Sequence, residues 1–390
     1  MVRPLVLRLI TASVYRAPID TPVQTSFGVL HDRASVLVRI VDDAGTEGWG
    51  EIWCNFPSVG AEHRARLLCE TVAPLAMAQA WLSPATCHKA LTRALNVLAI
   101  QSGEPGPIAQ VLAGLDLALW DLVSKRAGLP LWKLLGGQSP QVRVYASGLN
   151  PTDPDRLAAQ RAEDGHRAFK LKVGFGADRD IRNLANLRRT VSESATLMVD
   201  ANQAWQVEEA VMMSDRLAPY RPLWLEEPIA ADEPLERWRD LAARTEIPLA
   251  AGENLRGREF IDYLDAGVLK VLQPDVAKWG GFSGCLPLGK GAAAAAAWLC
   301  PHWLGAGVGL LATLHLKAAI GGEGFAEVDA NANPLRELLA GGLPGVHEGT
   351  MTLSDCAGLG AAPDLDAAAR FLVAQHTVNS TNDPIQMASS

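Results

Sequence analysis

The sequence predicts an α/β protein, a (β/α)8-type barrel joined to an α+β unit, and three observations carry that prediction. After Gly136-Gly137, short apolar runs alternate with helical segments, giving eight candidate strands at about 142–147, 168–173, 196–200, 222–226, 248–252, 269–273, 297–301 and 324–328. Polar residues recur at the ends of these runs. Lys172, Asp200, Glu226, Glu253, Asp275, His302 and Glu327 are separated by 28, 26, 27, 22, 27 and 25 residues, each step close to one βα unit. Ahead of them, the first third of the chain reads as strands followed by helices, the order of a separate α+β unit.

The elements follow in order. Ser35 to Val41 is β-branched and apolar, Asp42-Asp43-Ala44-Gly45 is a turn, and Thr46 to Glu51 returns as the second arm of a hairpin. From about Ala61 to Leu135 the periodicity is helical, with Ala113, Leu117, Trp120, Asp121 and Leu122 in a run that ends near Gly128-Leu129-Pro130. The barrel units follow, and the alanine run from Ala292 to Ala297 is expected to be a tightly packed barrel helix. The last sixty or so residues hold Gly and Pro turns and a β-like Thr350 to Leu353, and they are expected to return to the first unit. Residues 1–135 are thus one part, 136–330 the barrel and 331–390 the returning segment, whose final residues, Met387 to Ser390, are expected to be poorly ordered.

At 390 residues and 48% apolar composition, the chain has the length for two domains and an ordinary core. No apolar run approaches a membrane span, and Arg8 interrupts the N-terminal apolar stretch, so the expectation is a cytoplasmic protein with no membrane partner. The net charge of −8 is spread out and no basic block suggests nucleic acid. Six cysteines without a Cys-x-x-Cys pair read as reduced and structural.

Lys170 and Lys172 lie two apart in the apolar run Phe169 to Val173, so on a strand they share a face. Turned inward, two ammonium groups repel and burial disfavours both charges, which predicts a lowered pKa for at least one and makes it a usable base. Turned outward, the pair would be an ordinary charged strand edge. The recurring polar strand ends favour the inward reading, because ionisable groups gathered at one barrel mouth need partners or a metal.

Asp200, Glu226 and Glu253 occupy three consecutive strand ends with no Cys or His among them. Hard oxygen ligands of that kind suit Mg²⁺, and Mn²⁺ nearly as well. Lys172 precedes them in strand order, while Asp275 and His302 follow, and a carboxylate beside a histidine fixes the tautomer of an acid/base imidazole. A divalent cation with a base on either side suits removal of a proton α to a carboxylate. Glu327, if protonated, would donate a hydrogen bond to the developing oxyanion.

These residues bring a family into view. The chain resembles the enolase superfamily, mandelate racemase subgroup, in Asp116-Leu-Ala-Leu-Trp120-Asp121 with Lys125, Leu134-Leu-Gly-Gly137, Lys170-x-Lys172, Val199-Asp200-Ala-Asn202, Trp224-Leu-Glu226-Glu227-Pro228, Gly252-Glu253-Asn254, Gln273-Pro274-Asp275 with Gly280-Gly281, Pro301-His302 and Glu327. The resemblance implies an α+β capping domain built from both chain ends and a barrel holding Mg²⁺ on Asp200, Glu226 and Glu253. It implies Lys172 as one base, the His302–Asp275 dyad as the other, Lys170 as the group tuning Lys172, Glu327 as the electrophilic partner, and Glu227 and Asn202 as supporting groups. It also implies a homo-oligomer, dimer to octamer. Lys278 lies where the related muconate-lactonizing subgroup carries its second base, whereas Glu253 and Pro301-His302 match the mandelate racemase subgroup.

In such proteins the capping loops shape specificity, and here they are about Thr21 to Asp32 and Trp53 to Val59. Thr25, Ser26 and His31 are candidates to hydrogen-bond a small-molecule carboxylate substrate, Phe27, Trp53 and Phe56 to pack against it, and Asn202 and Lys278 to complete that side. The mixture leans toward an acid sugar, and Asp42 to Glu51 and Lys170 to Asp178 resemble acid-sugar dehydratases and galactarolactone cycloisomerases. The expected activity is dehydration of an acid sugar to a 2-keto-3-deoxy acid. A lactone cycloisomerase, a racemase or epimerase, and a non-catalytic metal-binding barrel are the alternatives.

Overall fold

The computed structural model describes residues 3–26 and 28–380, so the expectations for Phe27 and for the tail ending Met387 to Ser390 lie outside the described residues. Three long antiparallel strands open the chain, β1 (Leu7–Gln24), β2 (Val29–Asp42) and β3 (Glu47–Ile52). The β2–β3 turn forms because Asp42 can close it. Its Oδ1 accepts the backbone N–H groups of Ala44 and Thr46, both at 2.8 Å, and Gly45 supplies the positive φ. The helix Pro105–Ala127 ends at Gly128 in the left-handed conformation and packs flat on β3. Contact is that close because β3 offers no side chains there: a Cβ at Gly48 would lie 2.2 Å from the Ala118 carbonyl, and one at Gly50 2.2 Å from that of Gly114. By length and composition this helix is apolar enough to cross a membrane, but most of it is buried between sheet and barrel.

The barrel strands are β4 (Gln141–Leu149), β5 (Ala168–Lys172), β6 (Thr196–Asp200), β7 (Leu225–Glu226), β8 (Leu249–Ala251), β9 (Val271–Leu272), β10 (Trp298–Leu299) and β11 (Ala326–Asp329). Neighbours from β4 to β10 pair in parallel, and β11 pairs in parallel with β4. The Glu327 N–H donates to the Pro301 carbonyl at 3.2 Å, which joins the seventh and eighth units and closes the ring. Period-two alternation then sorts the side chains. Phe169, Leu171, Leu197, Val199, Leu225 and Leu249 face the helices in one large core, while Tyr145, Ala168, Met198, Trp224, Ala250, Val271 and Cys300 fill the floor of the barrel. Lys170 and Lys172 share the inward face with Ala168, one and two layers above that floor.

The alanine run departs from the expectation. The helix Gly281–Ala294 stops within it, and Ala296 turns left-handed at φ 52° so that the chain can reverse into β10. Thr350–Thr352, within the hairpin β12 (Val346–His347) and β13 (Thr350–Thr352), pairs with the first residues of β4. The strand β14 (Leu372–Asn379) pairs antiparallel with β1, Leu9 opposite Asn379.

Buried carboxylates fasten the N-terminal unit to the barrel. Glu51 accepts the N–H groups of Ala306 and Gly309 at the start of the helix Gly307–Ile320, at 2.7 and 2.8 Å. Asp116 accepts the N–H and hydroxyl of Ser283, and a Cβ on Gly281 would collide with it at 2.2 Å. Asp121 accepts the N–H groups of Trp49 and Leu359, tying β3 to the C-terminal segment. Arg33 on β2 forms a fully buried ion pair with Asp329 on β11, at 2.5 Å.

Candidate active site at the barrel mouth

The ends of β5 to β11 bring Lys172, Asp200, Glu226, Glu253, Asp275, His302 and Glu327 together above the barrel floor. The backbone register makes this so. Lys172 pairs with Asp200, and Asp200 with Glu226, as strict neighbours in the parallel ladder. Above them is a cavity of about 610 Å³, lined by Lys172, Asn202, Glu253, Lys278 and His302 from the barrel and by Thr25, Ser26, Trp53 and Phe56 from the roof. The Ser26 hydroxyl donates to the Asn202 carbonyl at 2.7 Å and the Trp53 N–H to the Ala277 carbonyl at 3.4 Å, so the roof is bonded to the barrel mouth.

The lysines lie inward, as charges against carboxylates. Lys172 Nζ is 2.6 Å from Asp200 Oδ2, and Lys170 Nζ is 2.5 Å from Glu226 Oε1, 2.9 Å from Glu327 Oε1 and 3.5 Å from Asp200 Oδ2. The lowered lysine pKa expected from the sequence is therefore not found. Burial disfavours the Lys172 ammonium and Lys170 pushes in the same direction, but Asp200 and Glu226 outweigh both and raise its pKa above the ordinary lysine value. Lys170 is held higher still: burial opposes its charge, and Glu226 and Glu327 overcome it. Two buried ammonium groups alone would lower each other's pKa, and the carboxylates packed beside them reverse the sign.

His302 is organised as expected. Its Nδ1 lies 2.7 Å from Asp275 Oδ2, and Asp275 Oδ1 accepts the N–H groups of Ala277 and Lys278 at 2.9 and 3.0 Å, which fixes the carboxylate. The opposite ring nitrogen, Nε2, points at Glu253 Oε2 at 3.0 Å. Burial would lower the imidazole pKa, yet Glu253, Glu327 and Asp275 together raise it to about 9. Glu327 departs from the protonated state conditionally expected of it. Burial favours the neutral acid, but Lys170, His302 and the Ser147 hydroxyl hold the carboxyl below its ordinary value.

The three candidate ligands differ in surroundings. Asp200 stays ionised, because Lys172 and Lys170 override its burial. Burial and the neighbouring Asp200 push the Glu226 carboxyl up to about 7 despite its contact with Lys170, and its second oxygen accepts from Gln273 Nε2 at 2.5 Å and Trp224 Nε1 at 3.1 Å. Glu253 is held low, burial being outweighed by His302 and Lys278. Among the described residues no three such side chains stand as a ready-made metal cage, since ammonium groups lie against the carboxylates. The donor set nevertheless fits a hard divalent cation. It offers oxygens on adjacent strand ends with positive charge already drawn to them, and beside it Asn202 Oδ1 is a buried acceptor with no partner.

Of the residues assigned to substrate, Thr25, Trp53, Asn202 and Lys278 line the cavity, and His31 does not. His31 sits near the start of β2 with its side chain in solvent, because strand alternation turns it away from the mouth. Lys278 Nζ bonds Glu253 Oε2 at 3.1 Å and Asn254 Oδ1 at 2.9 Å and lies 4.6 Å from the centre of the Trp53 ring. Sequence reasoning passed over Gln203 and Leu304, which also line the cavity, and Gln273, which holds Glu226. Gln273 was within reach, since it opens the Gln273-Pro274-Asp275 motif. Leu304 carries no signal in the sequence.

Comparison with known proteins agrees with this architecture. Residues 9–136 match the mandelate racemase/muconate lactonizing enzyme N-terminal domain, and residues 154–368 match the enolase C-terminal domain-like family. A D-galactarolactone cycloisomerase of Agrobacterium fabrum is 34% identical over 374 residues, 90% of this chain and 95% of the relative. A solved mandelate racemase/muconate lactonizing enzyme from Bordetella bronchiseptica RB50 is 49% identical and superposes with a TM-score of 0.88 over 94% of this chain and 99% of its own. An L-talarate/galactarate dehydratase of Salmonella typhimurium LT2, solved with Mg and L-lyxarohydroxamate, is 27% identical with a TM-score of 0.83, over 96% of this chain and 94% of its own. The chain belongs to the mandelate racemase/muconate lactonizing enzyme family of the enolase superfamily.

Proposed function

We propose that this chain is a Mg²⁺-dependent enzyme that removes the proton α to the carboxylate of an acid sugar and eliminates the β-oxygen, giving a 2-keto-3-deoxy acid. The observation that carries this reading is that two groups able to move protons, Lys172 on β5 and the Asp275-bound His302 after β10, line one cavity with the carboxylates Asp200, Glu226 and Glu253 set between them in strand order. Asp200, Glu226 and Glu253 would hold the cation, which supplies positive charge to a carboxylate whose α-carbon is being deprotonated. Lys172 as the free amine, or His302 as the neutral imidazole, takes the α-proton from the C–H bond, at Nζ or Nε2; because the pKa of each is raised, a proton must first leave that group for solvent. His302 in its protonated form then donates from Nε2 to the departing β-hydroxyl, so the C–O bond breaks and water leaves. Asp275 keeps the imidazole oriented, and Lys170 holds Glu226 and Glu327 in place.

Relatives named as acid-sugar dehydratases and as cycloisomerases support the reaction class. The boundary at 135 belongs to the same proposal, supported by the match at 9–136, and so does the return of the chain's last strand to the first unit, supported by the pairing of β14 with β1; the match at 154–368 continues past 330 and β13 pairs with β4, which keeps the intervening stretch with the barrel. A homo-oligomer, dimer to octamer, is supported by Leu82, Val97 and Ile100, exposed apolar residues on or beside the helix Pro84–Ser102.

The test is incubation of the Mg²⁺-loaded protein in D₂O with a panel of aldaric and aldonic acids, followed by NMR. A keto product with deuterium at C3 supports elimination. α-Deuteration with inverted configuration and no keto product would establish the racemase alternative instead, and no exchange with any acid would leave a metal-binding barrel.

A further inference from the structure

We infer that Glu51, on β3 of the N-terminal unit, is a positioning residue for His302: it caps the helix Gly307–Ile320 from outside, and the turn it fastens carries the imidazole. The inference deepens the proposed function, since it rests on His302 as a proton-moving group. A helix start leaves N–H groups without partners, and many chains meet two of them locally. The N-cap side chain accepts from the third helical residue, and that residue's side chain accepts from the N-cap N–H. Here neither half exists, because the N-cap is Ala306, which has no acceptor, and the third helical residue is Gly309, which has no side chain. One carboxylate from another unit serves both. Glu51 Oε1 accepts the Ala306 N–H at 2.7 Å and Oε2 the Gly309 N–H at 2.8 Å. The Ser35 hydroxyl completes the set at 3.1 Å; Glu51 is 1% exposed, and among the described residues no cation pairs with it.

The helix cannot cap itself because the residue after His302 occupies the space. The Trp303 ring lies so close over the turn that a Cβ on Gly305 or Gly309 would meet it at 2.3 or 2.1 Å, which keeps position 309 bare. Trp303 Nε1 donates to the Ala306 carbonyl at 2.9 Å, and the Trp303 N–H to Glu327 at 3.0 Å. Loosening Ala306 and Gly309 therefore shifts the Trp303 ring and, through it, the residue bonded to it. Asn55 grips the same turn from the N-terminal unit, its Nδ2 donating to the Leu304 carbonyl. Asp275 orients the His302 ring and the Pro274 carbonyl accepts the His302 N–H at 3.1 Å, so the side of His302 that leads into the turn depends on Glu51.

The test uses the full Mg²⁺-loaded protein with galactonate and galactarate as probes. Keto-acid formation gives kcat and KM, and ¹⁵N-histidine NMR reads the His302 imidazole, whose signal is identified by its loss in His302→Asn. Glu51→Gln keeps the shape but turns one acceptor into an NH₂ group facing a backbone N–H. It is expected to lower kcat about 10- to 100-fold with KM within about threefold, and to move the His302 signal. Adding Ala306→Ser supplies an N-cap acceptor for Gly309 and should recover at least about threefold of the loss. Gly48→Ala, which loosens β3 on the helix Pro105–Ala127 away from this turn, should lower Tm and leave kcat and the signal unchanged. Asn55→Ala is the second variant should Glu51→Gln not fold, with kcat falling about three- to tenfold. Unchanged kcat and an unmoved His302 signal in Glu51→Gln overturn the inference, and so does Gly48→Ala lowering kcat as much at equal loss of Tm, which makes Glu51 structural only. If the unmodified protein exchanges no α-proton in D₂O with either probe, the proposed function fails, and the His302 signal in Glu51→Gln still decides whether that residue positions the imidazole.

Discussion

Replacing Arg33 with methionine removes one partner of an ion pair whose side chains are both 1% exposed and whose N–O distance is 2.5 Å. The carboxylate left behind, Asp329, keeps its hydrogen bonds from the Asn331 side chain and N–H, and Arg336 acts on it through space, but its buried counter-ion is gone. One-sided loss of a buried pair costs about 3–5 kcal/mol. The intact pair is worth much less than that, because Arg33 Nε and Nη1 are themselves buried without partners and were desolvated on folding. Arg33→Met combined with Asp329→Asn should therefore recover most of the loss and end within about 1–2 kcal/mol of the unmodified protein. The assay is a double-mutant cycle by urea unfolding, with kcat followed in parallel. Asp329 stands two residues beyond Glu327 on the same face of β11, so the single variant should also lower kcat while the double variant regains part of it. A single-variant cost below about 1 kcal/mol would refute the claim that this pair clamps the N-terminal unit to the eighth strand.

Other expectations follow from the same contacts. Asp275→Asn withdraws one of the charges that raise the His302 pKa to about 9, so the limb of the kcat profile set by the protonated imidazole should move to lower pH, with kcat falling on the order of 100-fold. The sign is fixed because the folded pKa lies above the ordinary histidine value: the charged form is favoured below it and lost as pH rises through it. Gly50→Ala drives a Cβ to 2.2 Å from the Gly114 carbonyl and should destabilise the protein by about 1–3 kcal/mol, read as a lower Tm with kcat/KM of the folded fraction unchanged. His31→Ala should leave kcat/KM within about twofold of the unmodified enzyme, since its exposed side chain is outside the cavity, and a larger loss would restore it to the site.

The barrel was legible because its signal is repeated. Eight apolar runs and their polar ends recur at closely similar spacing; period-two alternation puts Lys170 and Lys172 on one face once the strand is granted, and the polar strand ends favour the inward one. The His302–Asp275 contact was legible for the same reason, since adjacent strand ends must meet. Protonation states were not, because they depend on distances between groups that are far apart in sequence. Lys170 meets Glu327 at 2.9 Å across 157 positions, and no local pattern reveals that neighbour. Much of the roof was legible: Thr25, Ser26, Trp53 and Phe56 reach the cavity while His31 does not, because the stretch expected as a loop is already strand at His31 and alternation turns that side chain outward. The Gly280-Gly281 motif acquires a physical reason only in three dimensions, where the Asp116 carboxylate occupies the space a Cβ on Gly281 would fill.

The central claim is that Lys172 and His302 are two proton-moving groups at one Mg²⁺-dependent site. It is tested most directly by α-proton exchange in D₂O with Mg²⁺-loaded Lys172→Ala and His302→Asn, using whichever acid the unmodified enzyme converts. The account requires that each substitution abolish conversion to the keto acid, by about 100-fold or more, while calorimetric Mg²⁺ binding stays within about tenfold, and that one of the two variants still exchange the α-proton. Keto-acid formation at the unmodified rate by either variant would contradict it.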